Sequence, residues 1–317
     1  MFEAPKGLRI VALAGGVGGA KLADGLARIL DPVSLTIVVN TGDDFWHLGL
    51  RISPDLDTVC YTLAGIASPK TGWGQAGDSW AAIEAVAALG GPDWFRLGDK
   101  DLGTSLERTR LLSEGKTLSE ITRRFCSTWE VLPAVLPMSD DECPTIVVTD
   151  QGELEFQDYF VRLRCEPRVS GFRLDRAQAA SPASGIIAAI DAADLVIICP
   201  SNPWVSVDPI LAVPGVRQAV ARRTVVAVSP IIGGQAVKGP AAKMYRELGI
   251  EPSPLSVASH YRSLLDGMVM DRVDGRLQPA VADLGLAVLV TDTLMKSLKD
   301  RTQLSQDTLE FGLGVNQ

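Results

Sequence analysis

What this 317-residue chain lacks already narrows its function. Its five cysteines form no CxxC pair, which argues against a zinc, iron–sulfur or redox motif and favours reduced thiols. Two histidines, His47 and His260, are too few to suggest a zinc site, and no GxSxG nucleophile motif is present. The apolar runs are far shorter than the ~20 residues of a membrane helix. Basic residues number 30 against 38 acidic ones, which argues against nucleic-acid binding. We therefore expect neither a membrane nor a nucleic acid as partner.

The composition that remains is that of a globular enzyme. Hydrophobic residues make up 46% of the chain and charged residues 21%. The N-terminal residues lead directly into a predicted strand without the apolar core of a signal peptide, so we expect a cytoplasmic protein. The net charge of −8 would suit a carboxylate-rich cleft that holds a divalent cation, although an acidic surface alone also explains it.

The hydrophobic pattern predicts an α/β fold. Residues 8–14 and 35–40 are continuous apolar runs, as in buried parallel strands, and residues 19–30 between them have helical spacing. This βαβ pattern returns in the second half of the chain. We predict one domain, 1–317, with a Rossmann-like three-layer parallel sheet and a smaller inserted α+β region. The core is expected at about 8–100 and 183–295, and the insertion at about 101–182. Other strands are predicted at 94–97, 195–199, 225–229 and 288–291. Helices are predicted from Ser53-Pro54 to 65, at 79–89, in two pieces within 104–128, and at 186–192, 215–222 and 241–248. A hairpin is predicted at Gln151-Gly152.

A glycine-rich loop joins the first strand to the first helix. Its glycines would let backbone N–H groups approach an anion at a helix N-terminus, and a tight strand–helix turn is the alternative. The dinucleotide fingerprint fails, because Lys21 stands at its third glycine and Asn40 at the acidic tip of the second strand. The P-loop pattern fails at Ala20 and Leu22. The candidate nucleotide-binding residues here are Gly15, Gly16, Val17, Gly18, Gly19, Lys21 and Asn40.

Two further loops follow predicted strands with small polar residues and glycines. Each loop alone is explained by ordinary turn chemistry. Together they predict one extended phosphate or nucleotide site, because ligands of open parallel sheets lie beyond the carboxyl ends of the strands. The candidates are Ser201, Asn202, Ser229, Pro230, Gly233 and Gly234.

Aspartates also follow the second strand and open the next helix. Asp44 follows Asp43 at a strand end, and Asp55 and Asp57 lie in the first helical turns. Two residues apart on a helix is about 200° of rotation, so we expect Asp57 to face the cleft and Asp55 to favour the helix N-terminus. Mg²⁺ binds one or two carboxylates plus phosphate oxygens, which this arrangement can supply, and surface capping is the alternative. Arg96 is expected to hold a phosphate or acidic substrate, or else to pair with nearby aspartates on the surface.

An ordered set of motifs resembles one known family. The motifs are AGGVGGAKL (14–22), VNTGDD (39–44), ISPDLDTVCYTLAG (52–65), RLGDKD (96–101), LPMSDD (136–141), PSNPWVS (200–206), AVSPIIGG (227–234) and VKGPAAK (237–243). They are similar to those of the 2-phospho-L-lactate transferase family and its phosphoenolpyruvate-using relatives, which act in the biosynthesis of the deazaflavin coenzyme F(420). The similarity runs from about residue 8 to 295.

The resemblance implies a Mg²⁺-dependent phosphotransferase. Its members move a phospholactyl or phosphoenolpyruvyl group from a guanosine diphosphate-linked donor to the ribityl hydroxyl of 7,8-didemethyl-8-hydroxy-5-deazariboflavin (Fo), and they release GMP. It places Asp57 and Arg96 at Fo, Asp44 and Asp57 at the metal and in catalysis, and the three glycine- and serine-containing loops at the nucleotide. It also favours a homodimer.

Two positions depart from the family pattern, and two rival functions stay open. Ser105 stands where many relatives have histidine, and Asp208 stands where glycine is expected. A non-catalytic nucleotide-sugar-binding metabolic regulator would share the fold, and an NAD(P) dehydrogenase is disfavoured by the failed fingerprint. The sequence does not distinguish the lactate, enolpyruvate and glycerate types of transferred acid.

Overall fold

The chain folds around one seven-stranded parallel sheet in a computed structural model that describes Pro5 and residues 7–315. The strand order is β14-β13-β10-β9-β1-β2-β5, and every pairing in it is parallel. The predicted Rossmann-like three-layer architecture is therefore confirmed. The sheet strands are β1 (Ile10–Ala14), β2 (Leu35–Val39), β5 (Ala134–Pro137), β9 (Leu195–Ile198), β10 (Val225–Val228), β13 (Gly267–Asp271) and β14 (Ala287–Thr291).

Helices cover both faces of the sheet because alternate strand residues point to opposite sides. On β1, Val11 and Leu13 pack into one core and Ile10 and Ala12 into the other. The Ile10 side is covered by α1 (Gly16–Ile29), α2 (Pro54–Leu63), α5 (Leu118–Thr128) and α13 (Leu298–Gly314). The Val11 side is covered by α6 (Asp175–Ala179), α7 (Ile186–Asp191), α8 (Asp208–Ala212), α9 (Val216–Val220), α10 (Ala241–Glu247), α11 (Pro254–His260) and α12 (Gln278–Ala282).

Smaller elements surround the carboxyl edge of the sheet. The predicted hairpin at Gln151-Gly152 is confirmed. The remaining elements are the hairpin β3 (Phe45–His47) and β4 (Leu50–Ile52), the three-stranded sheet of β6 (Ile146–Thr149), β7 (Gly152–Glu155) and β8 (Val169–Arg173), the two-residue strands β11 (Ile231–Ile232) and β12 (Gln235–Ala236), and helices α3 (Ala81–Ala88) and α4 (Asp99–Ser113). Within the described residues, no helix is long and apolar enough to cross a membrane.

The structure corrects the sequence analysis in two regions. Residues 94–97 form no strand; they lie in the loop before α4, where Trp94 and Phe95 pack against Phe45. In addition, β5 falls inside the range predicted for the insertion, yet it pairs with β2 as an edge strand of the main sheet. The pattern missed β5 because the strand has only four residues and includes Pro137, and a proline in an apolar run argues for a loop or an edge strand. The other limits of the insertion stay a prediction.

Candidate functional site

The candidate site lies at the switch point of the sheet. The chain continues from β1 to β2 on one side and later returns to β9 on the other, which opens a crevice between the carboxyl ends of β1 and β9. The loops after these strands are joined by the Ser201 hydroxyl, which donates to the Gly15 carbonyl over 2.8 Å and accepts from the Gly15 N–H over 3.2 Å. Two predicted parts of the nucleotide site are thus neighbours.

Close packing within the protein explains several glycines of the loop. A Cβ at Gly15 would lie 2.6 Å from the Asp55 Oδ2, and a Cβ at Gly19 would lie 2.8 Å from the Ser201 Oγ. A Cβ at Gly18 would overlap the Pro200 carbonyl oxygen. These glycines therefore allow the helix start to approach its neighbours, and phosphate binding by the loop stays a prediction.

Other candidate nucleotide residues have partners within the protein. The Lys21 ammonium donates to the Met295 carbonyl over 2.8 Å. Burial, with Arg301 and Lys238 nearby, lowers the pKa of Lys21. The Asn202 Oδ1 accepts from a backbone N–H over 3.1 Å and so caps the π-helical turn Pro203–Val207.

The loop after β10 is a compact turn and hairpin. The Ser229 hydroxyl donates to the Ile231 carbonyl over 2.9 Å, across Pro230. Gly233 and Gly234 have φ angles of 57° and 73°, as a two-residue hairpin turn between β11 and β12 requires. Turn geometry accounts for these residues, and their nucleotide contacts stay a prediction.

Asn40 organises the carboxylates of the site. Its Nδ2 donates to the Asp55 Oδ2 over 2.9 Å, to the Asp43 Oδ1 over 3.3 Å and to the Val205 carbonyl over 3.1 Å. Its Oδ1 accepts from the Gly42 N–H over 2.8 Å. Sequence reasoning assigned Asn40 to the nucleotide, and the structure places it between two aspartates.

Three aspartates of the site are buried, and burial raises the pKa of each. Burial, together with the neighbouring Asp55 and Asp44, raises the pKa of Asp43 well above its usual value. Burial raises the pKa of Asp44 to about 7, against the opposing effect of Arg51. Burial raises the pKa of Asp55 to about 6, although hydrogen bonds from Asn40 and a loop N–H oppose the shift. Such shifts are typical of functional sites.

Two buried arginines complete the cluster, and sequence reasoning missed both. The Arg51 guanidinium lies 3.5 Å from the Asp44 Oδ2 and 3.5 Å from the Glu142 Oε1. The Arg108 guanidinium pairs with Asp57 and also donates to the Arg51 carbonyl over 3.2 Å. The Arg108 side chain is only 1% exposed. Arg108 stands among polar residues of α4, so no local signal separates it from a surface arginine.

Asp55 and Asp57 point in different directions, as helix geometry predicts, but the expected assignment is reversed: Asp55, and not Asp57, lies at the glycine loop. Surface capping of α2 by Asp55 is wrong, because its buried carboxylate lies at the glycine loop. Asp57 points toward α4 and keeps 15% exposure. Ser53, at the predicted start of the same helix, makes no side-chain capping hydrogen bond and donates its hydroxyl to the Asp44 Oδ2 over 2.7 Å. The start of α2 therefore positions three carboxylates: it carries Asp55 and Asp57, and its Ser53 binds Asp44.

The cluster fits a divalent cation that also binds phosphate oxygens. No group of three or more His, Cys, Asp or Glu side chains within the described residues forms a complete metal cage. Mg²⁺ needs only one or two carboxylates when a substrate supplies phosphates. The Asp44 Oδ1 is buried without a hydrogen-bond partner among the described residues, which leaves this oxygen open to a bound group. Asp44 pairs with Arg51 and Asp57 with Arg108, whereas Asp43 and Asp55 have no ion-pair partner among the described residues.

Arg96 is exposed in the loop before α4. Its guanidinium stacks over the Trp80 ring at 4.6 Å from the centroid. The described residues include no ion pair between Arg96 and either Asp99 or Asp101, so the alternative of a surface pair is wrong. Asp99 instead accepts from the Ala82 N–H over 3.0 Å and from two further groups at the start of α3.

The two departures from the family pattern have defined surroundings. Ser105 is buried, and its hydroxyl has no partner within the described residues. The Asp208 carboxylate is bound to the His260 Nε2, with distances of 2.9 and 3.1 Å. The carboxylate of Asp208 is therefore held on His260 of α11.

Comparisons with known proteins agree with this fold. The family model described as "2-phospho-L-lactate transferase CofD" matches residues 10–297. A phosphoenolpyruvate transferase of Thermobifida fusca is 44% identical over 281 residues, which is 84% of this chain and 87% of the relative. A 2-phospho-L-lactate transferase of Methanosarcina acetivorans is 40% identical over 306 residues, which is 96% and 98% of the two chains. The crystal structure of a UPF0052 family protein from Bacillus halodurans is similar to this chain with a TM-score of 0.61 at 16% identity. The similarity covers 96% of this chain and 100% of that one, and it supports the fold alone. The family match spans nearly the whole chain, and the chain therefore belongs to the 2-phospho-L-lactate transferase CofD family.

Proposed function

We propose that the protein transfers a phospholactyl or phosphoenolpyruvyl group from a guanosine diphosphate-linked donor to the ribityl hydroxyl of Fo, with release of GMP, in coenzyme F(420) biosynthesis. Membership of a transferase family supports the reaction type. The names of the relatives include both acid types at about equal identity, so both remain in the proposal.

The observation that carries the proposal is the carboxylate cluster beside the glycine loop. Phosphoryl transfer depends mainly on positioning and charge neutralisation. Asp44 and Asp57 would hold Mg²⁺, which would neutralise charge on the donor phosphates. Asp57 is bound to Arg108 through one oxygen only, and no hydrogen bond to its other oxygen occurs in the described part of the chain.

The chain's own residues position the reacting groups. The ribityl oxygen attacks the phosphorus that carries the acid, a new O–P bond forms, and the diphosphate bond breaks with GMP as leaving group. The hydroxyl proton leaves to Asp57 or to solvent. The loops after β1, β9 and β10 are proposed to hold the guanosine nucleotide. Arg96 is proposed to hold Fo, because its exposed, planar guanidinium is already oriented by Trp80.

The proposal is tested by incubating the protein with Fo and each guanosine diphosphate-linked donor and measuring products by mass spectrometry. We expect equal amounts of GMP and the phosphoacyl product, with a requirement for Mg²⁺ that a chelator exposes. Asp57→Asn should abolish transfer. Binding of UDP-sugars with no turnover of any donor would contradict the proposal and favour the regulator.

A further inference from the structure

A surface segment covers the glycine loop, and nothing above assigns it a role. Residues 66–76, which we call the strap, connect α2 to the loop before α3. The strap folds back on itself: the Ala76 N–H donates to the Ile66 carbonyl over 2.8 Å, and the Ser68 N–H donates to the Gly74 carbonyl over 2.9 Å. Its tip, at Thr71 and Gly72, reaches across the mouth of the crevice.

The tip of the strap contacts both sides of the mouth. A Cβ at Gly72 would lie 2.8 Å from the Val17 Cγ1 of the glycine loop and 3.1 Å from the Lys238 Nζ. The Lys238 ammonium also donates to the Thr71 carbonyl. Lys238 follows β12, on the opposite side of the crevice. Its ammonium therefore lies beside the first turn of α1.

The charge on Lys238 is not neutralised by a neighbour. Among the ion pairs of the described residues, none includes Lys238 or Lys21. The positive charge of Lys238 contributes to the lowered pKa of Lys21, after the effects of burial and Arg301 and against the opposing effect of Asp300. Two ammonium groups thus lie near the N-terminus of the 14-residue helix α1, whose dipole adds further positive potential. An anion placed there would relieve the repulsion.

We propose that Lys238 binds a phosphate of the guanosine diphosphate-linked donor, and that the strap holds its ammonium over the glycine loop through the Thr71 carbonyl. This inference rests on the proposed function, because it needs a diphosphate at the glycine loop. It assigns a role to Lys238, which lies in the VKGPAAK motif but not among the predicted site residues, and to the strap as a positioning segment.

The first test is the affinity for GDP of the full-length protein, measured by calorimetry. Lys238→Gln should raise the Kd for GDP about tenfold or more, because one charge-assisted hydrogen bond is lost. Lys299→Gln is the matched control, since Lys299 is exposed on α13, and it should bind as the unchanged protein does. Equal GDP affinity for Lys238→Gln and Lys299→Gln would overturn the inference while leaving the proposed donor intact. Failure of the unchanged protein to bind GDP would instead overturn the proposed donor, and the inference with it.

The second test separates the strap from general backbone strain. Gly72 and Gly115 have nearly equal φ angles, 79° and 80°, but only Gly72 has neighbours at the position of a Cβ. Both alanine variants carry the same strain, whereas only Gly72→Ala must displace Val17 or Lys238. We expect Gly72→Ala to weaken GDP binding several-fold and Gly115→Ala to leave it unchanged. Equal GDP affinities in the two variants would overturn the role of the strap.

Discussion

The ion pair between Asp57 and Arg108 gives the sharpest test of how the site is built. Arg108 is 1% exposed and Asp57 is 15% exposed, and the Arg108 Nε has no partner within the described residues. Replacing Asp57 by Asn keeps the shape and one acceptor oxygen but removes the charge. The guanidinium would then be buried without its ion-pair partner, with only the more distant charge of Asp44 left to balance it. We therefore expect Asp57→Asn to lose stability as well as activity.

The expected loss of unfolding free energy in Asp57→Asn follows from the burial of the ion pair. Removing one partner of a buried ion pair costs about 3–5 kcal/mol. Because Asp57 is partly hydrated and the amide oxygen can still accept a hydrogen bond, we expect about 2–3 kcal/mol. For a chain of this length, a loss of 1 kcal/mol lowers the melting temperature by about 1.5 °C, because the shift equals the free-energy change divided by the entropy of unfolding. The melting temperature should therefore fall by about 3–5 °C.

The assay is a double-mutant cycle in urea, followed by tryptophan fluorescence. The assay compares Asp57→Asn, Arg108→Met and the double variant. Arg110→Met is the control, because Arg110 lies on the same helix, is 48% exposed and, within the described residues, pairs only with surface glutamates. The double variant should be more stable than the sum of the single effects predicts, by about 2 kcal/mol, and the control should change by less than about 1 kcal/mol. Additivity within about 0.5 kcal/mol would refute the coupling of this pair.

Four further predictions concern other parts of the protein. Arg96→Lys should lower catalytic efficiency toward Fo about ten- to a hundredfold, since a lysine cannot reproduce the planar fork, and an unchanged efficiency in steady-state kinetics would remove Arg96 from the Fo site. GDP or GMP should raise the melting temperature and NADH should not; the reverse pattern would favour a dehydrogenase. Burial, with Asp57 and Asp78 nearby, raises the pKa of Asp101 to about 7. The folded state thus binds this proton more tightly than the unfolded state, so the free energy of unfolding should fall as pH rises from about 4 through 7. Urea unfolding at pH 6 and 8 should show a smaller loss of this free energy in Asp101→Asn than in the unchanged protein. An equal loss in the two proteins would contradict the raised pKa. Light scattering should give a homodimer, and a mass near 33.8 kDa at micromolar concentration would argue against it.

The sequence alone was enough to predict the layered α/β fold. Strands buried on both faces need continuous apolar runs, and β1, β9 and β10 carry them in full, with every residue buried. The ends of these three strands could also be placed, because each apolar run stops where the strand leaves the core. The edge strand β5 escaped prediction because it is only four residues long and includes Pro137. The strand β13 was missed even though all five of its residues are buried.

The motifs likewise placed the glycine loop and Asp43-Asp44 at strand ends, and the parallel sheet brings such ends to one edge. Only the tertiary structure decided what these residues contact. Gly15 is required by the approach of Asp55, which is 40 positions away and is brought there by α2. Asn40, assigned to a nucleotide, holds two aspartates together.

The buried arginines mark the limit of sequence reasoning for this protein. Arg51 and Arg108 lie 57 residues apart, yet the Arg108 guanidinium donates to the Arg51 carbonyl, and each pairs with a different aspartate of the site. An arginine in a polar helix has the same local pattern whether it faces water or a carboxylate. Local composition determined which segments are buried strands, whereas the pairing of charges depended on the packing of α2 against α4 and the β3–β4 hairpin, which no local pattern encodes.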